Sequence, residues 1–252
     1  KALLERKFEN AKEQLPIVGK EAKTIAPGKY RVYLAPAAMH EIMSLLCWTS
    51  FSRKAQETKQ SPLLKLSEGL ESFHPQISIR ENTEGGIGPN FESSGFIKKP
   101  QVPLIENGKL CEALTSPRSS KEYGGETDGA NSSESPQSLH VNGGSLKQES
   151  ILHELECGLY ISNLWYLNFS DAMSCRMTGM TRFATFWVEN GKIVAPLNVM
   201  RFDESMYRAL NTNLIGLTSE QEFIFDPETY FERSCSSAKI PGALVDDFCF
   251  TL

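Results

Sequence analysis

The sequence predicts an α+β fold, made mostly of antiparallel strands with hairpins in a barrel-like or sandwich-like sheet, with a few flanking helices. Two Asn-Gly turns support this prediction, in Glu106–Lys109 and Glu189–Lys192, and each stands between apolar or β-branched runs. Asn-Gly is the strongest short-range hairpin signal, because both central residues of a type I′ turn need positive φ. Helices precede the strands without regular β-α alternation, which argues against a parallel sheet.

A first helix is predicted over residues 1–18. Its apolar residues recur near helical spacing: Leu3, Leu4, Phe8, Ala11 and Leu15. Pro16 is expected to end the helix, because proline lacks the backbone N–H that a helix interior needs. We expect this helix to dock through its apolar face.

A strand and a second helix follow. Pro27-Gly28 predicts a turn into Tyr30–Leu34, whose aromatic and β-branched content is typical of strands. Pro36 is a first-turn proline and opens a helix that reaches about Trp48. This helix is apolar over most of its surface, so we expect it to be mostly buried.

The middle of the chain is more polar. Residues 50–69 have a helical pattern, whereas 77–96 are irregular and contain the glycine cluster Gly85–Gly88. Residues 116–142 are rich in Ser, Gly, Asn and Glu, which predicts a mobile surface excursion or, alternatively, a disordered linker. In the remainder a short helix is predicted over 206–215, and strands over 155–169, 182–197, 221–231 and 244–252.

We treat the chain as one domain, 1–252, with a helix-strand-helix segment over 1–50 and a β-rich body over 77–252. The chain opens on Lys1 rather than Met, inside a predicted helix, so a preceding segment is expected. Six cysteines are scattered without a Cys-x-x-Cys pair, which favours reduced thiols.

Composition excludes several function classes. The formal net charge is -5 and no basic run is interleaved with aromatic residues, so nucleic acid is not an expected partner. No apolar stretch approaches the roughly 20 residues that span a bilayer, and no signal-peptide core opens the chain. We therefore expect a cytoplasmic protein without a membrane partner.

Several strings together resemble the carboxy-terminal region of the TldD/PmbA family. They are Pro89–Phe96, Cys111–Arg118, Thr178–Arg182, Phe186–Pro196 and Pro241–Leu244. The strand that begins near Gly28 and the helix start at Pro36 also fit the family. The sequence near the end of the chain resembles the PmbA type, also called TldE, more than the TldD type.

The resemblance implies a function in proteolysis. Members of the family were first described as modulators of DNA gyrase and are now regarded as peptidase-related, with an additional amino-terminal domain. TldD members are zinc metallopeptidases that act on unfolded peptides; they carry a His-Glu-x-x-x-His motif on a helix and a zinc-binding cysteine near the carboxy terminus. TldE members lack these residues and pair with TldD. The expected partners are therefore a TldD-like member or a second copy, in a heterodimer or homodimer, and an unfolded peptide.

His40 and Glu41 are the sharpest candidates for chemistry, since the resemblance places the zinc motif on their helix. A His followed by Glu could supply a metal ligand and a general base. The second ligand is missing, because the residue five after His40 is Leu45 and the residue four after it is Ser44. We expect no cofactor in this chain and zinc, if present, in a TldD-type partner; a metal at His40 and a plain histidine remain the two alternatives.

Cys235 and the glycine cluster are weaker candidates. Cys235 stands close to where TldD members place their zinc cysteine, but a catalytic thiol would need a His and a carboxylate brought to it by the fold. Gly85–Gly88 is not followed by the Gly-Lys-Ser/Thr of a phosphate-binding loop.

Two classes of function follow. In the first, the chain is a zinc-free, PmbA-like subunit that binds an extended peptide as an added strand while a partner cleaves it. In the second, it is a self-sufficient metal-dependent peptidase that uses an atypical site of His40, Glu41 and Cys235. A non-catalytic scaffold or regulatory protein is a third alternative, since fold alone does not fix function.

Overall fold

The computed structural model describes residues 2–230 and 232–252 of the chain, without the side chains of residues 2, 3 and 6. The strands are β1 (Gly28–Leu34), β2 (Ile79–Asn82), β3 (Gln101–Glu106), β4 (Lys109–Leu110), β5 (Ser138–Val141), β6 (Gly158–Asp171), β7 (Arg176–Glu189), β8 (Lys192–Pro196), β9 (Arg201–Ser205), β10 (Leu214–Phe225) and β11 (Ser237–Phe250). The α-helices are α1 (Ala2–Val18), α2 (Pro36–Cys47), α3 (Arg53–Glu57), α4 (Leu64–Ser67), α5 (Pro117–Tyr123) and α6 (Ile151–Leu155).

Five strands close into a ring in the order β1, β6, β7, β9, β11 and back to β1. Neighbours in the ring are antiparallel except β1 and β6, which run parallel. The remaining strands extend the sheet: β5, β2, β3 and β4 continue in that order from β11, while β10 pairs with β11 and β8 with β7. The predicted α+β fold with a mostly antiparallel sheet is confirmed.

The main core lies between this sheet and α2. Met39, Ile42, Leu46 and other α2 residues belong to one buried cluster with side chains of the ring, among them Phe202 and Phe248. The helix packs against β6 and β11. Its predicted burial is confirmed, because its apolar residues have core neighbours on nearly every side.

Both predicted hairpins form. Asn107 and Gly108 have φ values of 49° and 79°, and Asn190 and Gly191 have 50° and 69°. These positive values are the ones that a type I′ turn requires. The first turn joins β3 to β4 and the second joins β7 to β8.

Helix α1 differs from its prediction. It continues through Pro16 to Val18, and its apolar side chains Leu4, Phe8 and Leu15 are exposed rather than docked. The helix contacts β8, and Lys7 Nζ lies 2.6 Å from Glu222 Oε2 on β10. Contact through polar side chains does not require the apolar stripe to face inward.

The polar stretch 116–142 is also not the surface excursion that its composition predicts. It contains α5 and β5, and β5 lies inside the sheet between β11 and β2. Asp128 and Glu134, within the same stretch, are buried. Burial of these carboxylates is possible because each accepts two backbone hydrogen bonds, which offset part of the loss of water.

Other element boundaries shifted. The predicted helix over 206–215 is shortened to a π-helical turn at Arg208–Thr212, and β10 already begins at Leu214. No helix within the described ranges combines the length and the apolar character needed to cross a bilayer.

Candidate functional site

The site is built on the single half-exposed stripe of α2. The helix begins at Pro36 after an extended Ala35, whose carbonyl accepts a hydrogen bond from Met39 N at 2.9 Å. One turn apart on its less buried side lie Ala37, His40 and Ser44, with Glu41 beside them. Helical spacing therefore puts the predicted site residues on one face, while the opposite face fills the core.

A groove of about 580 Å³ runs over this stripe. Its walls come from β5, from the segment before β5, and from the two ends of the β10–β11 connection. The lining residues are His40, Ser44, Cys47, Trp48, Ser135, Pro136, Leu139, Asp226, Glu228, Ser236, Ser237 and Ala238. The wall is rich in hydroxyl and carboxylate groups.

His40 is held neutral in this groove. Its Nε2 lies 3.4 Å from Ser44 Oγ, one helical turn away. Burial lowers the pKa of the imidazole below its ordinary value, and the negative charge of Asp226 across the groove only partly opposes this. A neutral imidazole with a hydroxyl neighbour can exchange hydrogen bonds with a bound molecule without adding charge.

Glu41 faces a different neighbour. Burial raises the pKa of its carboxyl, and the positive charge of Arg182 on β7 works in the opposite direction. His40 and Glu41 are adjacent in sequence and therefore point about 100° apart on the helix. The stripe thus has Asp226 on the His40 side and Arg182 on the Glu41 side.

The residues present do not fit a zinc site. The position where the second histidine of the His-Glu-x-x-x-His motif would stand is Leu45, which is 2% exposed and belongs to the core. In the part of the chain that the structure describes, no three His, Cys, Asp or Glu side chains come together in a way that could hold a metal ion. The fold therefore supplies no ligand set to complete His40.

Cys235 lies in the connection between β10 and β11 and its side chain is exposed. Its neighbours Ser236 and Ser237 line the groove, whereas Cys235 is absent from the lining. The fold thus brings Cys235 to the rim of the groove without assembling it with His40 and Glu41 into a metal site. Catalytic roles for these three residues stay hypotheses.

The glycine cluster Gly85–Gly88 lies against the same part of the sheet. A Cβ at Gly86 would collide with the side chain of Ser138, and a Cβ at Gly88 would lie 3.3 Å from the carbonyl oxygen of Cys235. These glycines permit a close approach of backbone to the start of β11 and to β5, which explains their presence without a phosphate ligand.

Ser237 adds a polar group that sequence reasoning did not single out. Its Oγ is buried and has no hydrogen-bond partner among the described residues, although the residue lines the groove. Asp226 accepts a turn hydrogen bond from Glu228 N at 3.0 Å, and its negative charge also acts on His40. The places of Ser237 and Asp226 in the groove depend on residues that are distant in sequence, so local sequence patterns could not predict them.

Comparison with known proteins defines the class of protein to which this fold and groove belong. The sequence model of the PmbA/TldA metallopeptidase C-terminal domain matches residues 27–251. The chain therefore belongs to this peptidase-related PmbA/TldD family, and the resemblance found in the sequence is confirmed.

The solved structures that are similar to the chain include three described below. A protein from Thermotoga maritima described as a modulator of DNA gyrase is 20% identical with a TM-score of 0.76, and the match covers 96% of this chain and 53% of that one. TldE from Thermococcus kodakarensis is 16% identical with a TM-score of 0.79, covering 97% and 55%. A protein from Bacteroides thetaiotaomicron that is also described as a modulator of DNA gyrase is 18% identical with a TM-score of 0.72, covering 96% and 51%.

At these identities the likeness concerns the fold. The chain spans about half the length of the three solved proteins that it matches. No curated protein sequence matches the chain.

Proposed function

We propose that this chain is the zinc-free, TldE-like component of a peptidase system, and that it holds an extended, unfolded peptide for a zinc-bearing TldD-type partner. One observation carries the proposal: α2 keeps His40 in a groove, while the position of the second motif histidine is a core leucine, Leu45. A leucine packed into the core cannot turn toward the groove without leaving a cavity.

An open sheet edge beside the groove supports peptide binding by strand addition. Residues Gln221–Phe225 of β10 pair with residues 237–241 of β11 without a register shift. On their other edge these five residues have no strand partner within the described ranges. A peptide paired here would reach the groove at Asp226, which lines it directly after β10.

Strand addition suits unfolded substrates because main-chain hydrogen bonds give affinity with little dependence on sequence. The groove beyond the edge offers the same kind of contact. Ser44, Ser135, Ser236 and Ser237 line it with hydroxyl groups that can donate to or accept from a peptide backbone.

The test is cleavage of a fluorescently labelled, unfolded protein by the full-length protein alone and mixed with a TldD-type partner. We expect no turnover alone and turnover in the mixture. Turnover by this protein alone would contradict the proposal.

Two variants separate this proposal from a self-sufficient peptidase. His40→Ala and Glu41→Gln would abolish turnover if these residues formed an active site. Under the present proposal both leave cleavage by the mixture within a few-fold of the unmodified pair. Zinc content measured by mass spectrometry on chelator-free protein gives an independent readout: about one zinc per chain in the protein alone would contradict the proposal.

A further inference from the structure

Four residues of β6 and β7 form an exposed aromatic-arginine cluster: Trp165, Tyr166, Arg182 and Phe183. Trp165, Tyr166 and Phe183 are 46%, 74% and 72% exposed, respectively. Trp165 and Tyr166 meet edge to face with centroids 5.5 Å apart. Large aromatic side chains together with arginine are the composition typical of binding hot spots, and here they face solvent.

The backbone conformation at two of the exposed rings is energetically unfavourable. Tyr166 and Phe183 have positive φ values, 55° and 57°, which bulky residues rarely adopt. The β6–β7 pairing shifts register next to both residues, between Ile161 and Asn163 and between Trp165 and Asn168. An unfavourable conformation that exposes apolar rings points to a use for the exposed surface.

Arg182 contacts two of these rings. Its guanidinium carbon is 3.5 Å from the centroid of Trp165 and 4.6 Å from that of Phe183. Within the described residues the guanidinium has neither an ion pair nor a hydrogen bond to a carboxylate. The rings fix the plane of the guanidinium by stacking, and its N–H fork remains available for an anion.

Arg182 is close enough to Glu41 on α2 for its positive charge to oppose the effect of burial on the pKa of that carboxyl. Glu41 is next in sequence to His40, which lines the groove. The charged residues that line the groove, Asp226 and Glu228, are acidic. The cluster therefore adds a positive charge near the helix over which the groove runs.

We propose that Arg182, held against Trp165 and Phe183, binds the side-chain carboxylate of a Glu or Asp residue in the extended peptide. The inference rests on the proposed function, and it adds a preference for acidic side chains to an otherwise sequence-tolerant site.

Peptide binding rather than cleavage tests the inference. Three labelled, unstructured peptides of about ten residues, long enough to follow a strand and cross the groove, differ only at a central Glu, Gln or Lys and carry an amidated terminus. Fluorescence anisotropy with the full-length protein should give an affinity for the Glu peptide about five- to tenfold above that for the Gln peptide, as a charge-assisted bidentate contact near the surface provides. The Lys peptide should bind most weakly.

Variants assign the preference to the cluster. Arg182→Gln should reduce the Glu-over-Gln ratio to below about twofold, chiefly by weakening binding of the Glu peptide, and Arg182→Lys should keep part of the ratio because it keeps the charge but not the fork. Arg118→Gln makes the same charge change on α5, where the side chain is 88% exposed, and should leave the ratio intact. Trp165→Ala should lower the Glu-over-Gln ratio, because the Arg182 guanidinium loses the ring on which it stacks.

The outcomes are distinguishable. Equal binding of the Glu and Gln peptides, or a ratio that survives Arg182→Gln, overturns the acidic preference and leaves the proposed function standing. If no peptide binds, both fall. Tighter binding of a thymidine oligonucleotide than of the Glu peptide, or a change of oligomeric mass in Trp165→Ala, would make the cluster a nucleic-acid or subunit surface and overturn the inference.

Discussion

Glu134 shows how single buried carboxylates organise the polar stretch before β5. Its oxygens accept hydrogen bonds from Ser52 Oγ at 2.7 Å, Lys54 N at 3.0 Å and Ser116 N at 2.8 Å. Burial by itself would raise the pKa of this carboxyl, but the hydrogen bonds outweigh it and the pKa is lowered. One side chain thus ties α3, the start of α5 and its own loop together.

Replacing Glu134 by Gln should lower the free energy of unfolding by about 2 kcal/mol at pH 7, because an amide satisfies fewer of these donors. Chemical denaturation measures the loss. Because the folded-state pKa is depressed, the stabilisation is present above the ordinary pKa of glutamate and disappears as the pH falls through the folded value. The exposed Glu126→Gln is the matched control, and equal stability of the two variants would contradict the role given to Glu134.

Asp128 is expected to have the opposite pH dependence. Burial raises the pKa of this carboxyl to about 6, although Thr115 N and Ala130 N donate to it. Since the folded-state pKa is raised, the folded state binds the proton more tightly, and this contribution is lost as the pH rises from about 4 to about 6. The difference in unfolding free energy between the unmodified chain and Asp128→Asn should fall over that range by at most about 3 kcal/mol. A pH-independent difference would show that Asp128 does not titrate there.

At the scale of elements, α1 and α2 both have apolar residues at helical spacing but differ in their surroundings. Leu45 on α2 is 2% exposed, whereas Leu15 on α1 is 71% exposed. Leu45→Ala should destabilise the protein by about 2–5 kcal/mol, since it removes core contacts and leaves a cavity. Leu15→Ala should change stability by less than about 0.5 kcal/mol. Comparable losses measured by thermal unfolding would mean that α1 is docked after all.

The glycine-rich loop before β3 depends on close approach to β5. At Gly86 a Cβ would lie 2.7 Å from Ser138 Cβ. The backbone or the Ser138 side chain must move to relieve this overlap. Gly86→Ala should therefore cost about 1–3 kcal/mol of unfolding free energy. At Gly19 a Cβ would have no atom closer than 3.9 Å, so Gly19→Ala is the control. Adding Ser138→Gly to Gly86→Ala should restore part of the loss; absence of recovery would contradict this contact.

At the scale of the whole molecule, stability is expected to follow the ring of strands. The strand β11 pairs with β1, β5, β9 and β10, and its apolar residues Ala243 and Val245 belong to the core. Elements with many buried neighbours open only when the whole domain unfolds, whereas exposed elements open locally.

Amide hydrogen exchange checks this expectation. The amides of β11 and of the ring portions of β6 and β7 should exchange with the free energy of global unfolding. Those of α1 should exchange with a much smaller free energy, because few buried contacts hold that helix. Uniform protection across α1 and β11 would show that α1 is part of the cooperative unit.

The sequence by itself determined the features that depend on a few consecutive residues. The two Asn-Gly hairpins, the start of α2 at Pro36 and the burial of that helix were all predictable, because backbone φ preferences and apolar periodicity act locally. The short strings that carry the family resemblance were also sufficient to assign the family. Leu45 in place of the second motif histidine could be read directly from the sequence.

Only the tertiary structure decided which residues became neighbours. Ser52 and Glu134 are separated by 82 positions, yet their contact turns a polar stretch into part of the folded interior. Trp165 and Phe183 are residue types that usually lie in a core. The register shifts between β6 and β7 leave them exposed instead. The charge of Asp226 near His40 and that of Arg182 near Glu41 arise in the same way. Burial and charge environment are set by residues distant in sequence, so no local pattern contains them.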